Sequence, residues 1–206
     1  MEQNVTFHCQ DIELEGIWAA QSPTSATIIT HPHPLYGGDM CNAVVETVSS
    51  AYQNKGWSTL RFNFRGVGRS QGTFDDGIGE QEDLTAATDF LNSKGVSYIE
   101  WAGYSFGAWV MACRARDARW AGIPMRFIAP PVGFIDFNPI HPIPGLRQVI
   151  IGAGDELAPQ QHCESIATRW NPQVKVDVLP GADHFFWNQM NTLQKVLEAN
   201  ISLIKP

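Results

Sequence analysis

No stretch of this chain is apolar over the length that a membrane helix needs, and none concentrates Lys or Arg. The first absence removes a membrane-spanning segment from the expected organisation. The second, with a net charge of −7, leaves no cationic surface for a phosphate backbone, so nucleic acid is set aside as a partner. Cysteine is scarce as well. Cys9, Cys41, Cys113 and Cys163 lie far apart and never form a Cys-x-x-Cys pair, which argues against a zinc site and a dense disulfide framework. They read as reduced, mostly buried thiols. Met1 to Gln10 is polar and holds no leader-like apolar core, so the expected compartment is the cytoplasm.

What is present is a globular composition. With 206 residues, 44% of them apolar and 17% charged, one compact domain spanning 1–206 is expected, and hence one active site. Val5 to Ala19 alternates apolar and polar residues in two short stretches, the pattern of an antiparallel pair of edge strands. From Ala26 the pattern changes to strand, loop and helix in turn. Strands are predicted at Ala26–Thr30, Trp57–Phe62, Tyr98–Gly103, Arg126–Ala129, Gln148–Gly152 and Val174–Leu179. Helices are predicted near Asn42–Asn54, Gly79–Ser93, Phe106–Arg119, Pro159–Arg169 and Asn188–Ile204. Such alternation implies parallel crossovers and a sheet covered by helices on both faces. Ligands of these sheets bind beyond the carboxyl ends of the strands, so the loops that follow strands carry the search.

Gly103-Tyr104-Ser105-Phe106-Gly107 lies between a predicted strand and a predicted helix, the context that a G-x-S-x-G nucleophile elbow requires. A serine hydroxyl is a weak nucleophile at neutral pH and needs a base, and the base needs a partner that fixes its tautomer. Asp155 follows the strand ending at Gly152, and His184 follows the last strand. The order Ser105, Asp155, His184 and the position of each at a strand end suit one another. Glu156 and Asp136 stay open as alternative acids. Asp183 adjoins His184 and is poorly placed to reach its ring.

The oxyanion of a tetrahedral intermediate needs fixed donors, and the amide after the nucleophile, that of Phe106, is one. The second is expected from His31-Pro32-His33-Pro34-Leu35-Tyr36-Gly37-Gly38. Pro32 and Pro34 have no amide hydrogen, leaving His33 or Leu35, with His33 preferred. His31 and His33 also form an H-x-H pair, but no third ligand accompanies them, so no metal is expected. The segment Asn63 to Ser70 lacks the spacing of a phosphate-binding loop and reads as a structural turn braced by Arg65. His8, His141 and His162 read as surface residues.

Taken together, the elbow, the Asn63–Ser70 segment, the His-Pro loop and the Asp155 and His184 loops resemble the small, lidless bacterial serine hydrolases of the α/β-hydrolase superfamily, close to the dienelactone hydrolases. The resemblance runs from about Ile12 to the final helix. It implies a mostly parallel sheet of about eight strands without a cap domain, and a carboxylesterase-like activity; the catalytic parts themselves call for no cofactor. The chain departs from the pattern in two places. The superfamily often carries D-x-R-G-x-G-x-S where this chain has Asn63, and dienelactone hydrolases carry cysteine where this chain has Ser105. Their particular substrate is therefore not expected here.

The mechanism so expected is hydrolysis of a small-molecule ester, with amide cleavage and a silent binding fold as alternatives. Between the strands where lids are commonly inserted stands only Pro130 to Arg147, with five prolines and no helical period. Phe134, Ile135 and Phe137 in that loop, with Phe106, Trp109, Phe185, Phe186 and Trp187, supply candidates for an apolar wall. A shallow pocket with short-acyl preference follows.

Overall fold

The computed structural model describes residues 1–204. Eight strands form one sheet in the order β1-β2-β4-β3-β5-β6-β7-β8. β1 (Glu2–Cys9) and β2 (Ile12–Ala19) are an antiparallel hairpin, and β2 is also antiparallel to β4 (Ser58–Phe62). From β4 onward every pairing is parallel, through β3 (Ser25–Thr30), β5 (Tyr98–Tyr104), β6 (Met125–Ile128), β7 (Leu146–Gly152) and β8 (Lys175–Leu179). The inner strands β3, β4 and β6 are buried at every residue, which is why they read as continuous β-rich runs rather than alternating ones.

Helices cover both faces. α1 (Ala43–Asn54) and α5 (Met190–Asn200) bury Val44, Val48, Leu193 and Leu197 in one core with Ile29, Ile128 and Ile150. α2 (Ile78–Ser93), α3 (Phe106–Arg114) and α4 (Gln160–Trp170) bury Leu84, Leu91, Met111 and Ile166 in the other, with Trp101, Phe127 and Trp170. Because β3, β5, β6, β7 and β8 run the same way, the loops after them converge on one rim.

Helix ends differ from the periodicity where local chemistry intervenes. The helix expected to reach Arg119 stops at Arg114, because amides 116 and 117 bond three residues back and the Asp117 carboxylate takes the Arg119 amide at 2.9 Å. The last helix starts at Met190 rather than Asn188, since Phe186 (φ 54°) and Asn188 (φ 60°) are left-handed. It also ends four residues early, where Ile201 turns extended. The 130–145 segment between β6 and β7 holds no helix, so no helical cap rises over the rim from it. No helix among the described residues is long and apolar enough to cross a membrane.

Candidate active site

The turn from β5 to α3 places Ser105 at φ 54°, ψ −120°, a conformation that costs a non-glycine residue energy and persists only where surroundings enforce it. The surroundings do so. The Ser105 amide donates to Ile128 of β6 at 2.9 Å. A side chain at Gly103 would stand 2.7 Å from the Ala108 backbone, and one at Gly107 would stand 2.4 Å from Thr30 Oγ1 and 2.8 Å from the His31 carbonyl. Both glycines are thus fixed by close approach, the first of helix to strand, the second of elbow to β3.

Ser105 Oγ lies 3.0 Å from His184 Nε2, and His184 Nδ1 lies 2.8 Å and 3.0 Å from the two oxygens of Asp155. The Asp155 carboxylate is fully buried, and its Oδ1 also accepts the amides of Leu157 at 2.9 Å and Ala158 at 2.7 Å. Those donors satisfy the charge where water cannot. The other acids point elsewhere. Glu156 is exposed, Asp136 accepts from Asn138 in its own turn at 2.9 Å, and Asp183 accepts the amides of Phe185 and Trp187 within its own loop.

His31 and His33 separate into different environments. His31 is fully buried, accepts the Phe64 amide on Nε2 at 3.0 Å, and holds its Nδ1 2.7 Å from the Pro32 carbonyl. Both nitrogens are used, which fixes the Nδ1–H tautomer and ties the β3 loop to the β4 loop. Desolvation pushes its pKa down to about 4. His33 lines the cavity beside Ser105, with its ring 4.8 Å from that of Phe106. Its Nδ1 accepts the Leu35 amide at 3.2 Å. Leu35 is thereby occupied, whereas the amides of His33 and Phe106 have no acceptor among the described residues.

The Asn63–Ser70 turn is held by a buried polar set. Asn63 donates to Glu15 at 2.8 Å and accepts the Met40 amide at 2.8 Å, so it serves as donor and acceptor at once. Arg69 pairs with the same Glu15 at 2.8 Å, and Arg65 pairs with fully buried Asp83 at 2.8 Å. An aspartate at 63 would lack the donor toward Glu15, which gives the departure from the superfamily pattern a local reason.

The cavity over Ser105 measures about 450 Å³. Phe106, Phe134, Ile135, Leu157 and Phe185 line it, and among the described residues no Asp, Glu, Lys or Arg does. Of the other candidates for its wall, Phe137 and Phe186 are buried in the two cores, Trp109 packs on Phe106 from behind at 5.7 Å, and Trp187 stands exposed outside. Tyr104 was not singled out in the sequence, because the motif leaves its position free. Its hydroxyl donates to the His184 carbonyl at 3.0 Å, so the elbow itself holds the histidine loop. The cysteines stand apart from this site chemically: Cys9, Cys113 and Cys163 are pushed up to about 12, chiefly by burial, while Cys41 is exposed.

Comparison with known proteins places the chain in a family. An uncharacterized protein of Rickettsia prowazekii is 34% identical, over 94% of this chain and 86% of its own. An α/β serine hydrolase homologue from Coxiella burnetii shares 33% identity and superposes with a TM-score of 0.88 over 97% of each chain. A Xanthomonas campestris protein, a member of the α/β serine hydrolases without a lid, shares 30% identity at a TM-score of 0.88, over 100% of this chain and 97% of that one. No family model matches. With solved relatives of this identity over nearly the full length and TM-scores of 0.88, the chain belongs to the α/β serine hydrolases.

Proposed function

We propose that the chain hydrolyses carboxylic esters of small substrates through an acyl-enzyme on Ser105. The observation that carries this reading is the hydrogen-bonded chain from Ser105 Oγ through His184 to buried Asp155, opening into an uncharged apolar cavity. Ser105 Oγ attacks the scissile carbonyl as its proton passes to His184 Nε2, and Asp155 holds the ring and stabilises the imidazolium. The amides of Phe106 and His33 meet the oxyanion. As the tetrahedral intermediate collapses, His184 returns the proton to the leaving alcohol. A water then loses its proton to His184 and attacks the acyl carbon, releasing the acid and restoring Ser105. Chain, substrate and water supply every atom that moves.

The acyl preference follows from the walls. A cavity of about 450 Å³ without a lid encloses a short chain, and each methylene left in water forgoes roughly 0.8 kcal/mol of burial. Steady-state kinetics on acyl esters of graded length, with matched anilides and Ser105→Ala as control, test the reading. The expected result is a kcat/KM maximum at about two to six carbons, esters well ahead of anilides, and no jump in rate at a lipid interface. A maximum at ten carbons or more would contradict the pocket argument. Anilides cleaved as fast as esters would reassign the chain to amides, and no turnover of either would leave a binding fold.

A further inference from the structure

In the wall of the Ser105 cavity, His33 and Asn42 each carry a side-chain donor that the hydrolytic scheme leaves unused. His33 Nδ1 accepts the Leu35 amide, so the neutral ring bears its proton on Nε2. Desolvation lowers the His33 pKa, against an opposing pull from Asp76, and the neutral ring is therefore the form present at pH 7. Asn42 Oδ1 accepts the Val44 amide at 2.9 Å as the cap of α1, which settles the carboxamide orientation and leaves Nδ2 as a donor. Among the described residues neither His33 Nε2 nor Asn42 Nδ2 has an acceptor, and both residues line the cavity. The Tyr104 hydroxyl, by contrast, is committed to the His184 carbonyl.

Among the described residues the wall thus offers two free donors without charge at His33 and Asn42, beside the Tyr36 hydroxyl, which can donate or accept. Neither a cationic nor an anionic substrate finds a side-chain countercharge in the wall among the described residues, and a carboxylate would also meet Asp76, which acts on His33 from nearby. At the mouth, Tyr36, Phe134 and Phe185 expose aromatic surface suited to an apolar frame. We propose that His33 and Asn42 form a donor subsite selecting esters that carry, beyond the scissile carbonyl, a second uncharged oxygen acceptor on an apolar frame. An ether, carbonyl or hydroxyl oxygen qualifies. The inference rests on the ester-hydrolase reading above and narrows its substrate class.

Two near-isosteric pairs test it, one with the oxygen in the alcohol and one with it in the acyl part: 2-methoxyethyl against butyl butyrate, and methyl methoxyacetate against methyl butyrate. Intrinsic reactivity cancels when the ether-to-hydrocarbon ratio of kcat/KM is compared between wild type and Asn42→Asp. That variant keeps an acceptor for the Val44 amide and replaces the donor by an acceptor; Asn42→Ser, which also caps, substitutes for it if it folds poorly. The expected result is a ratio about 3- to 10-fold higher in the wild type for at least one pair, the size of a neutral hydrogen bond net of solvent. Relative activity on the choline ester of butyric acid should move the opposite way in Asn42→Asp. Equal ratios in wild type and variants for both pairs, with esters still hydrolysed, would overturn the subsite and leave the hydrolase reading standing. Failure of the wild type to hydrolyse any ester or to react with a fluorophosphonate would overturn both.

Discussion

The Tyr104 hydroxyl donates to the main-chain carbonyl of His184 at 3.0 Å, joining the residue before Ser105 to the residue whose ring faces Ser105. Burial, with Asp155 and Asp183 adding to it, raises the Tyr104 pKa, so the group remains a phenol and a donor. The elbow and the histidine loop come from β5 and β8, three strands apart in the sheet, and this bond spans them directly. Tyr104→Phe should lower kcat about tenfold with a smaller change in KM, while the unpaired carbonyl costs about 1–3 kcal/mol of stability. Kinetics with a denaturation curve check both, and unchanged kcat would reduce the bond to a structural tie.

Asp155 and Glu156 are sequence neighbours with opposite environments, one carboxylate fully buried on His184 and the other in solvent. Asp155→Asn should lower kcat by roughly four powers of ten through the wrong histidine tautomer, and Glu156→Gln should leave it nearly intact. The reverse ranking, read from kcat of the two variants, would move the role to Glu156.

His31 supplies a pH dependence of stability. Its folded pKa of about 4 lies below the ordinary 6.5, so as pH falls the unfolded chain takes up the proton first. The contribution is complete above about pH 6.5 and lost progressively toward pH 4. The residue accounts for roughly 2 kcal/mol of lost stability between pH 7 and pH 5. Urea denaturation of wild type and His31→Gln at both pH values should show a loss smaller by about that amount in the variant. Equal losses would mean that the buried ring is not the titrating group.

The legible parts of this molecule were those where one residue type answers one constraint. Gly103 and Gly107 mark the elbow because only glycine tolerates other atoms at those distances. The strands β3 to β8 followed from β-rich runs, though β1 begins three residues before the alternation does, since its hairpin bonds to β2 are made by backbone whatever the side chains. Partnerships across the sheet left no such mark. Nothing in sequence spacing joins Arg65 to Asp83, Asn63 to Glu15 or Tyr104 to His184, because each pair meets only after β-α-β crossovers close. Asn42 was visible as a helix start, but its place in the cavity wall was not. Phe137 and Phe186 show the converse: their loops pointed to the cavity wall, and core packing claimed the side chains.

The central claim is that Ser105 is the nucleophile, activated by His184 and Asp155. Its most direct test is intact-protein mass spectrometry after treatment with an alkyl fluorophosphonate, on wild type and Ser105→Ala. The account predicts one phosphonyl adduct on the wild type, mapped to Ser105, none on the variant, and a loss of at least about three powers of ten in ester turnover in the variant. Equal labelling of both proteins, or turnover that survives in Ser105→Ala, would contradict it.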